Sequence, residues 1–156
     1  MVEWVEKKIG PPAVVLEDSD KIKEFIDSSD VVVVGFFSDL ESEDAIAYKK
    51  AVKDYEEYPC GIAKDGDKFD AKDGDIVLFK NFDDRRAVYS GAIKKENLLE
   101  FIQRYAVPLV VEFNHETAQK IFRGLVKSHL LIFVSYKSEE YEKTVEVSKK
   151  LAEEFR

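Results

Sequence analysis

The chain has 156 residues, room for one ordinary domain or for one small domain and part of another. With 45% apolar residues, 11 Phe and 7 Tyr, it can bury a core and is not a disordered chain. Carboxylates outnumber basic side chains 32 to 24, and the resulting charge of −8 argues against nucleic acid and against anionic membrane surfaces.

No apolar run approaches the roughly 20 residues of a membrane-spanning helix. Met1-Val2-Glu3-Trp4 does not read as a signal peptide, which suits a cytosolic protein and a segment of a longer secreted one equally well. Cys60 is the sole cysteine, so an intrachain disulfide, a Cys-x-x-C centre and a multi-cysteine zinc site are excluded. It reads as a buried small apolar residue rather than a nucleophile.

Residues 13–16 read as a short strand. Asp18, Ser19 or Asp20 can then cap a helix whose apolar positions, Ile22, Phe25 and Ile26, fall three and four apart. Residues 31–37 are a run of valines and phenylalanines around Gly35, the pattern of a strand buried on both faces. A second helix is expected over 42–58, with Ala45, Tyr48, Ala51, Val52 and Tyr55 inward and acids at its start favouring the macrodipole. Residues 59–63 read as a short strand, followed by a Gly- and Asp-rich passage over 65–75. Residues 76–79 and 86–89 form a hairpin around Asn81-Phe82-Asp83-Asp84. A helix carrying Leu98, Phe101, Ile102 and Tyr105 closes the unit. The helix-joined early strands should be parallel and the hairpin antiparallel, which predicts a mixed sheet flanked by helices over 12–106.

After Ala106-Val107-Pro108 the pattern restarts, with a repeat of roughly 95 residues. Strands are expected over 109–113 and 129–134. Helices are expected over 115–125, with Ala118, Ile121, Phe122 and Leu125 inward, and over 141–155, with Tyr141, Val145, Ala152 and Phe155. This second unit is a truncated βαβα copy, α/β like the first. An unclosed half unit leaves unpaired strand edges, which predicts self-association, a homodimer through 109–156.

The segments Phe36-Phe37-Ser38-Asp39-Leu40-Glu41-Ser42-Glu43-Asp44, Lys72-Asp73-Gly74-Asp75-Ile76-Val77-Leu78-Phe79-Lys80-Asn81-Phe82-Asp83 and Glu96-Asn97-Leu98-Leu99-Glu100-Phe101-Ile102 resemble the non-catalytic second (b) domain of protein disulfide isomerases. Pro108-Leu109-Val110-Val111-Glu112-Phe113 and Thr117-Ala118-Gln119-Lys120-Ile121-Phe122 resemble the opening of the third (b') domain. Trp4-Val5-Glu6-Lys7-Lys8-Ile9-Gly10-Pro11 is similar to the tail of a preceding domain, so 1–11 is assigned to that tail or linker. The resemblance implies one complete thioredoxin-like domain over 12–106, the N-terminal half of another over 107–156, and residence in the endoplasmic reticulum lumen. It implies flanking catalytic thioredoxin domains in a parent isomerase, with this segment as non-catalytic scaffold and chaperone region for unfolded or misfolded polypeptides. It also implies that Phe113 and Phe122 lie in a polypeptide-binding pocket, although their spacing equally suits ordinary core.

Catalysis in that family needs a pair of sulfurs at the strand-to-helix junction, where this chain has Glu41 and Asp44, and Ser138 and Tyr141 in the second unit. Thiol–disulfide exchange requires an attacking thiolate and a leaving sulfur, so no catalytic residue is assigned. Asp75 takes the place of the family's cis-proline, and a trans bond is expected there. The 65–75 loop fails the EF-hand pattern: counted from Asp65, Phe69 holds position 5, Asp70 position 6 and Ile76 position 12. Low-affinity calcium buffering by its clustered carboxylates is the alternative function. His115 and His129 have no partners at zinc-ligand spacing, so no metal is assigned. Nucleophile-elbow, dinucleotide and phosphate-loop spacings are missing, and no cofactor is expected.

Overall fold

A computed structural model of the chain describes residues 13–53, 55–64, 66–123 and 128–154. The expected tail over 1–11, together with Leu125 and Phe155, lies outside them. Two compact units result, Met1–Ala106 and Val107–Arg156.

The first unit runs β1 (Val14–Leu16), α1 (Ser19–Asp27), β2 (Val31–Phe36), α2 (Glu43–Val52), β3 (Cys60–Ala63), β4 (Ile76–Lys80), β5 (Arg86–Tyr89) and α3 (Lys95–Tyr105). A single 3-10 turn, Asp67–Phe69, interrupts the acidic passage. The strands lie in the order β1-β3-β2-β4-β5. β3 pairs in parallel with both β1 and β2, while β4 pairs antiparallel with β2 and with β5. This is the mixed, helix-flanked sheet that the periodicities predict.

Helices cover both faces, so β2 has no solvent side and every one of its residues is buried. Val31 and Val33 join Tyr48, Val52, Leu98 and Ile102 in one core beneath α2 and α3. Val34 and Phe36 join Leu16, Ile22 and Val77 in the other, beneath α1. A strand with one wet face would alternate polar and apolar residues; this one reads as an apolar run because both faces are dry.

Tyr48 shows how helix and sheet interlock. Its ring is fully buried, and its hydroxyl donates to the Gly61 carbonyl at 2.9 Å and the Val33 carbonyl at 3.3 Å. Tyr48→Phe keeps the ring and removes the donor, so an expected loss of about 1–2 kcal/mol in chemical denaturation isolates the hydroxyl's contribution. A midpoint equal to the parent's would show that those carbonyls gain nothing from it.

The second helix departs from expectation. It ends at Val52 rather than 58. Tyr55 and Tyr58 instead pack ring to ring at 6.3 Å against the core.

The second unit contains α4 (His115–Arg123) and α5 (Tyr141–Glu154). The strands expected at 109–113 and 129–134 do not form: none of these residues belongs to a strand. The first unit explains why. β1 and β2 never touch each other there, since both are held by β3 between them. Residues 109–113 and 129–134 stand where β1 and β2 would, and residues 107–156 contain no described counterpart of β3. A strand without a neighbour has no ladder to join. Residues 129–134 are accordingly not buried as expected: Leu130 is 76% exposed and Phe133 92%.

Candidate functional site

The junction of β2 and α2 is tied down from both sides. Beyond the end of β2, the Phe37 N–H donates to the Ala63 carbonyl at 2.9 Å. The Gly74 N–H donates to the Phe36 carbonyl at 2.8 Å, and the Phe36 N–H to the Asp75 carbonyl at 2.8 Å. Asp73 then clamps the next residue, accepting from the Ser38 N–H at 2.7 Å and from its hydroxyl at 2.9 Å. Those two donors hold the Asp73 carboxyl below its usual range.

A carboxylate whose folded value is depressed contributes stability above its unfolded value, and that contribution is lost as pH falls through the folded one. Asp73→Asn should therefore destabilise the chain at neutral pH. The gap to the parent should close as pH drops below about 3.8, the ordinary value for this group. Urea midpoints from pH 2 to 7 test this, and a gap independent of pH would detach Asp73 from the effect.

Ser42 caps α2, its hydroxyl accepting from the Ala45 N–H at 3.2 Å. Glu43 and Asp44 fill the first turn, where the macrodipole favours negative charge, and Lys49 and Lys50 fill the last. The Glu41 side chain is 81% exposed and pairs with Lys49 at 3.3 Å, while Lys49 also donates to the Leu40 carbonyl at 2.7 Å. Glu41 and Asp44 thus lie at the site expected of them, as solvated carboxylates on a capped helix start. In the second unit, the Tyr141 N–H donates to the Ser138 carbonyl at 3.1 Å, and the Tyr141 ring packs at a tilt against Tyr136, centroids 4.9 Å apart.

The turn facing the β2–α2 junction is closed by Asp75. Its carboxylate accepts from the Lys72 N–H at 2.9 Å and the Ser90 hydroxyl at 3.0 Å. Among the described residues every peptide bond is trans, including the one before Asp75. Asp70 is engaged by Arg86, which donates to its carbonyl at 2.9 Å and its carboxylate at 3.3 Å. Asp70, Asp73 and Asp75 therefore serve separate partners, and Asp65 lies outside the described residues. Among the described residues no three His, Cys, Asp or Glu side chains converge as a cation would require, and calcium buffering gains no support.

Cys60 lies far from reactive. It is buried in the core under α2, and burial pushes its thiol up to about 12. At pH 8 its reaction with an aromatic disulfide reagent should run roughly a hundredfold slower in the folded chain than in denaturant. Comparable rates would mean that the thiol is open to solvent.

The second unit brings its two expected residues together. Phe113 and Phe122 meet edge to face at 6.2 Å, and Phe122 meets His129 in the same way at 5.9 Å. Both phenylalanines are more than half exposed, unlike core residues. Asn114 and Thr117 cap α4 reciprocally, each backbone N–H donating to the other's side-chain oxygen at 2.9 Å. The tyrosine hydroxyl of Tyr136 hydrogen-bonds the Glu112 carboxylate, which pushes Tyr136 up to about 12. Leu130, Leu131, Ile132 and Phe133 add an exposed apolar band that sequence reasoning assigns to a buried strand. Its apolar character is plain in the sequence; its exposure is not.

Three comparisons bear on this site. A family model described as a thioredoxin-like domain matches residues 37–156. Over its whole length the chain is 42% identical to the protein disulfide-isomerase of Drosophila melanogaster, covering 32% of it, and 39% identical to that of Gallus gallus, covering 31%. The chain thus spans about a third of these relatives. Among solved structures, the bb fragment of ERp72 superposes with a TM-score of 0.63 at 18% identity, over 94% of this chain and 71% of that one. A human ERp44 structure gives 0.54 at 19% identity, over 77% of this chain and 34% of that one. These two likenesses speak to fold. The sequence matches bear out the resemblance to protein disulfide isomerases.

Proposed function

The chain belongs to the thioredoxin-like domain family, and from that premise we propose that it is a redox-silent scaffold and polypeptide-binding region of a protein disulfide isomerase. One observation carries the first half: where the family's chemistry needs two sulfurs, the described junction presents the exposed carboxylates of Glu41 and Asp44, with Cys60 buried elsewhere. An electron pair cannot pass through carboxylates, so thiol–disulfide exchange would be left to the flanking domains of a longer parent. Residence in the endoplasmic reticulum lumen follows from the same likeness. No described helix is long and apolar enough to cross a membrane.

The second half rests on the exposed apolar side chains of the second unit. Contiguous exposed apolar surface marks sites that take up other polypeptides. Phe113, Phe122 and the 130–133 band offer such contacts without a fixed polar pattern, suiting unfolded or misfolded clients of varied sequence. Fluorescence anisotropy with a labelled, reduced and unfolded polypeptide tests this. Leu131→Asp combined with Phe133→Asp should weaken capture at least tenfold, and unchanged affinity would end the binding reading.

Insulin reduction tests the redox half, with no turnover above the uncatalysed rate expected. A homodimer through 109–156 would draw on the same apolar band. Light scattering should then show concentration-dependent mass that the double variant abolishes; a monomer in both cases discards it.

A further inference from the structure

We infer that Lys80 is a fastener joining the β4–β5 turn to the end of α3, and that it thereby fixes the point at which the chain leaves the first unit. Its side chain is 0% exposed. A buried ammonium persists only when paired and hydrogen-bonded. The Asp84 carboxylate lies 2.6 Å from its nitrogen, and the Tyr105 carbonyl accepts from it at 3.4 Å. The rings of Phe82 and Tyr105 stand 5.3 and 5.9 Å away, within reach of a cation–π attraction.

The position of Tyr105 gives this arrangement its meaning. It is the last residue of α3, where a helix turns its final carbonyls toward groups outside it. A cation at that end also meets the negative pole of the macrodipole. Two residues further on, the second unit begins.

At the other end of the fastener lies an unusual turn. Asp83 and Arg85 hold φ of 49° and 59°, a left-handed backbone uncommon for residues other than glycine. Such conformations persist only where the surroundings determine them. The Lys80 N–H donates to the Arg85 carbonyl at 2.9 Å, so a single residue holds this turn by backbone and side chain together. Because a buried charge stripped of one partner is costly, the coupling is cooperative. If Asp84 withdraws, the ammonium moves to water and its contact with Tyr105 goes too.

This device is independent of client capture, which concerns other residues. Its test is amide hydrogen exchange on the full chain, comparing the parent with Lys80→Met and with Asp84→Asn. Met keeps the apolar length of lysine, and Asp84 is 51% exposed, so the second variant guards against a first that fails to fold. Both should speed exchange at residues 81–86 and at 103–107 together, by at least tenfold. Amides at 32–35, in the centre of the sheet, should hold their rates. The Ala106 N–H, which donates to the Ile102 carbonyl at 2.8 Å, is the reporter at the helix end. Acceleration confined to 81–86 would reduce Lys80 to a staple of its own turn and overturn the inference. Unchanged rates, or a uniform rise that includes 32–35, would overturn it as well.

Discussion

Gly35→Val is expected to cost the first unit about 3 kcal/mol or more, a large share of its folding stability. A Cβ at Gly35 would lie 2.6 Å from Cε2 of Phe37 and 3.0 Å from Cε1 of Tyr48. Both rings are fully buried, and Tyr48 is pinned by its hydrogen bonds to Val33 and Gly61, so neither can swing into solvent. Overpacking a core ordinarily costs about 1–3 kcal/mol. A branched side chain thrust between two rings on the central strand should reach or exceed the top of that range. A small domain holds only about 5–15 kcal/mol in reserve. Gly35→Ala should be intermediate, and circular dichroism melts order the series. Gly74→Ala is the contrast: nothing lies within 4 Å of its Cβ, and its φ of +89° makes the cost one of backbone alone, about 1–2 kcal/mol. A Gly35→Val melting point close to that of the parent would show that the two rings yield freely.

Amide exchange is expected to differ by at least about a thousandfold between residues 32–35 and residues 130–134. The first set lies in β2, laddered on both sides to β3 and β4 and buried on both faces. Its amides should open only with the whole unit, at the global free energy of several kcal/mol. Residues 130–134 belong to no strand, and Phe133 is almost bare. Their amides should exchange within a few tens of the unstructured rate. Protection at 130–134 equal to that of β2 would mean that the segment has found a ladder, whether in a partner or in a second copy.

The contrast between the units explains what the sequence made legible. In the first, local pattern and tertiary setting agree: the valine run of 31–34 is what a doubly covered strand requires, and Ile22 and Leu98 fall where helical spacing puts an inward side. The junction was legible because chemistry forbids exchange without sulfur, whatever the geometry. The helix end at Val52 was not legible because Tyr55 continues the apolar stripe beyond it. In the second unit, residues 129–134 have the composition of a buried strand, but β structure is a property of pairs. Composition cannot reveal whether the intervening strand is there. The aromatic contact of Phe113, Phe122 and His129 lay equally beyond spacing, which suits core and surface alike. Lys80 reads as an ordinary hairpin lysine, and only the geometry of Asp84 and Tyr105 places it indoors.

The interleaved order of the parallel strands also sets a timetable for synthesis. β3 is made last of the three, yet it is the wedge on which the other two depend. Until β3 follows it out of the ribosome, the run of four consecutive valines has no parallel neighbour and is a sticky stretch open to wrong partners. Translation that lingers while β2 is out and β3 is not prolongs that hazard; the same delay once β3 and β4 have both emerged costs the nascent chain little.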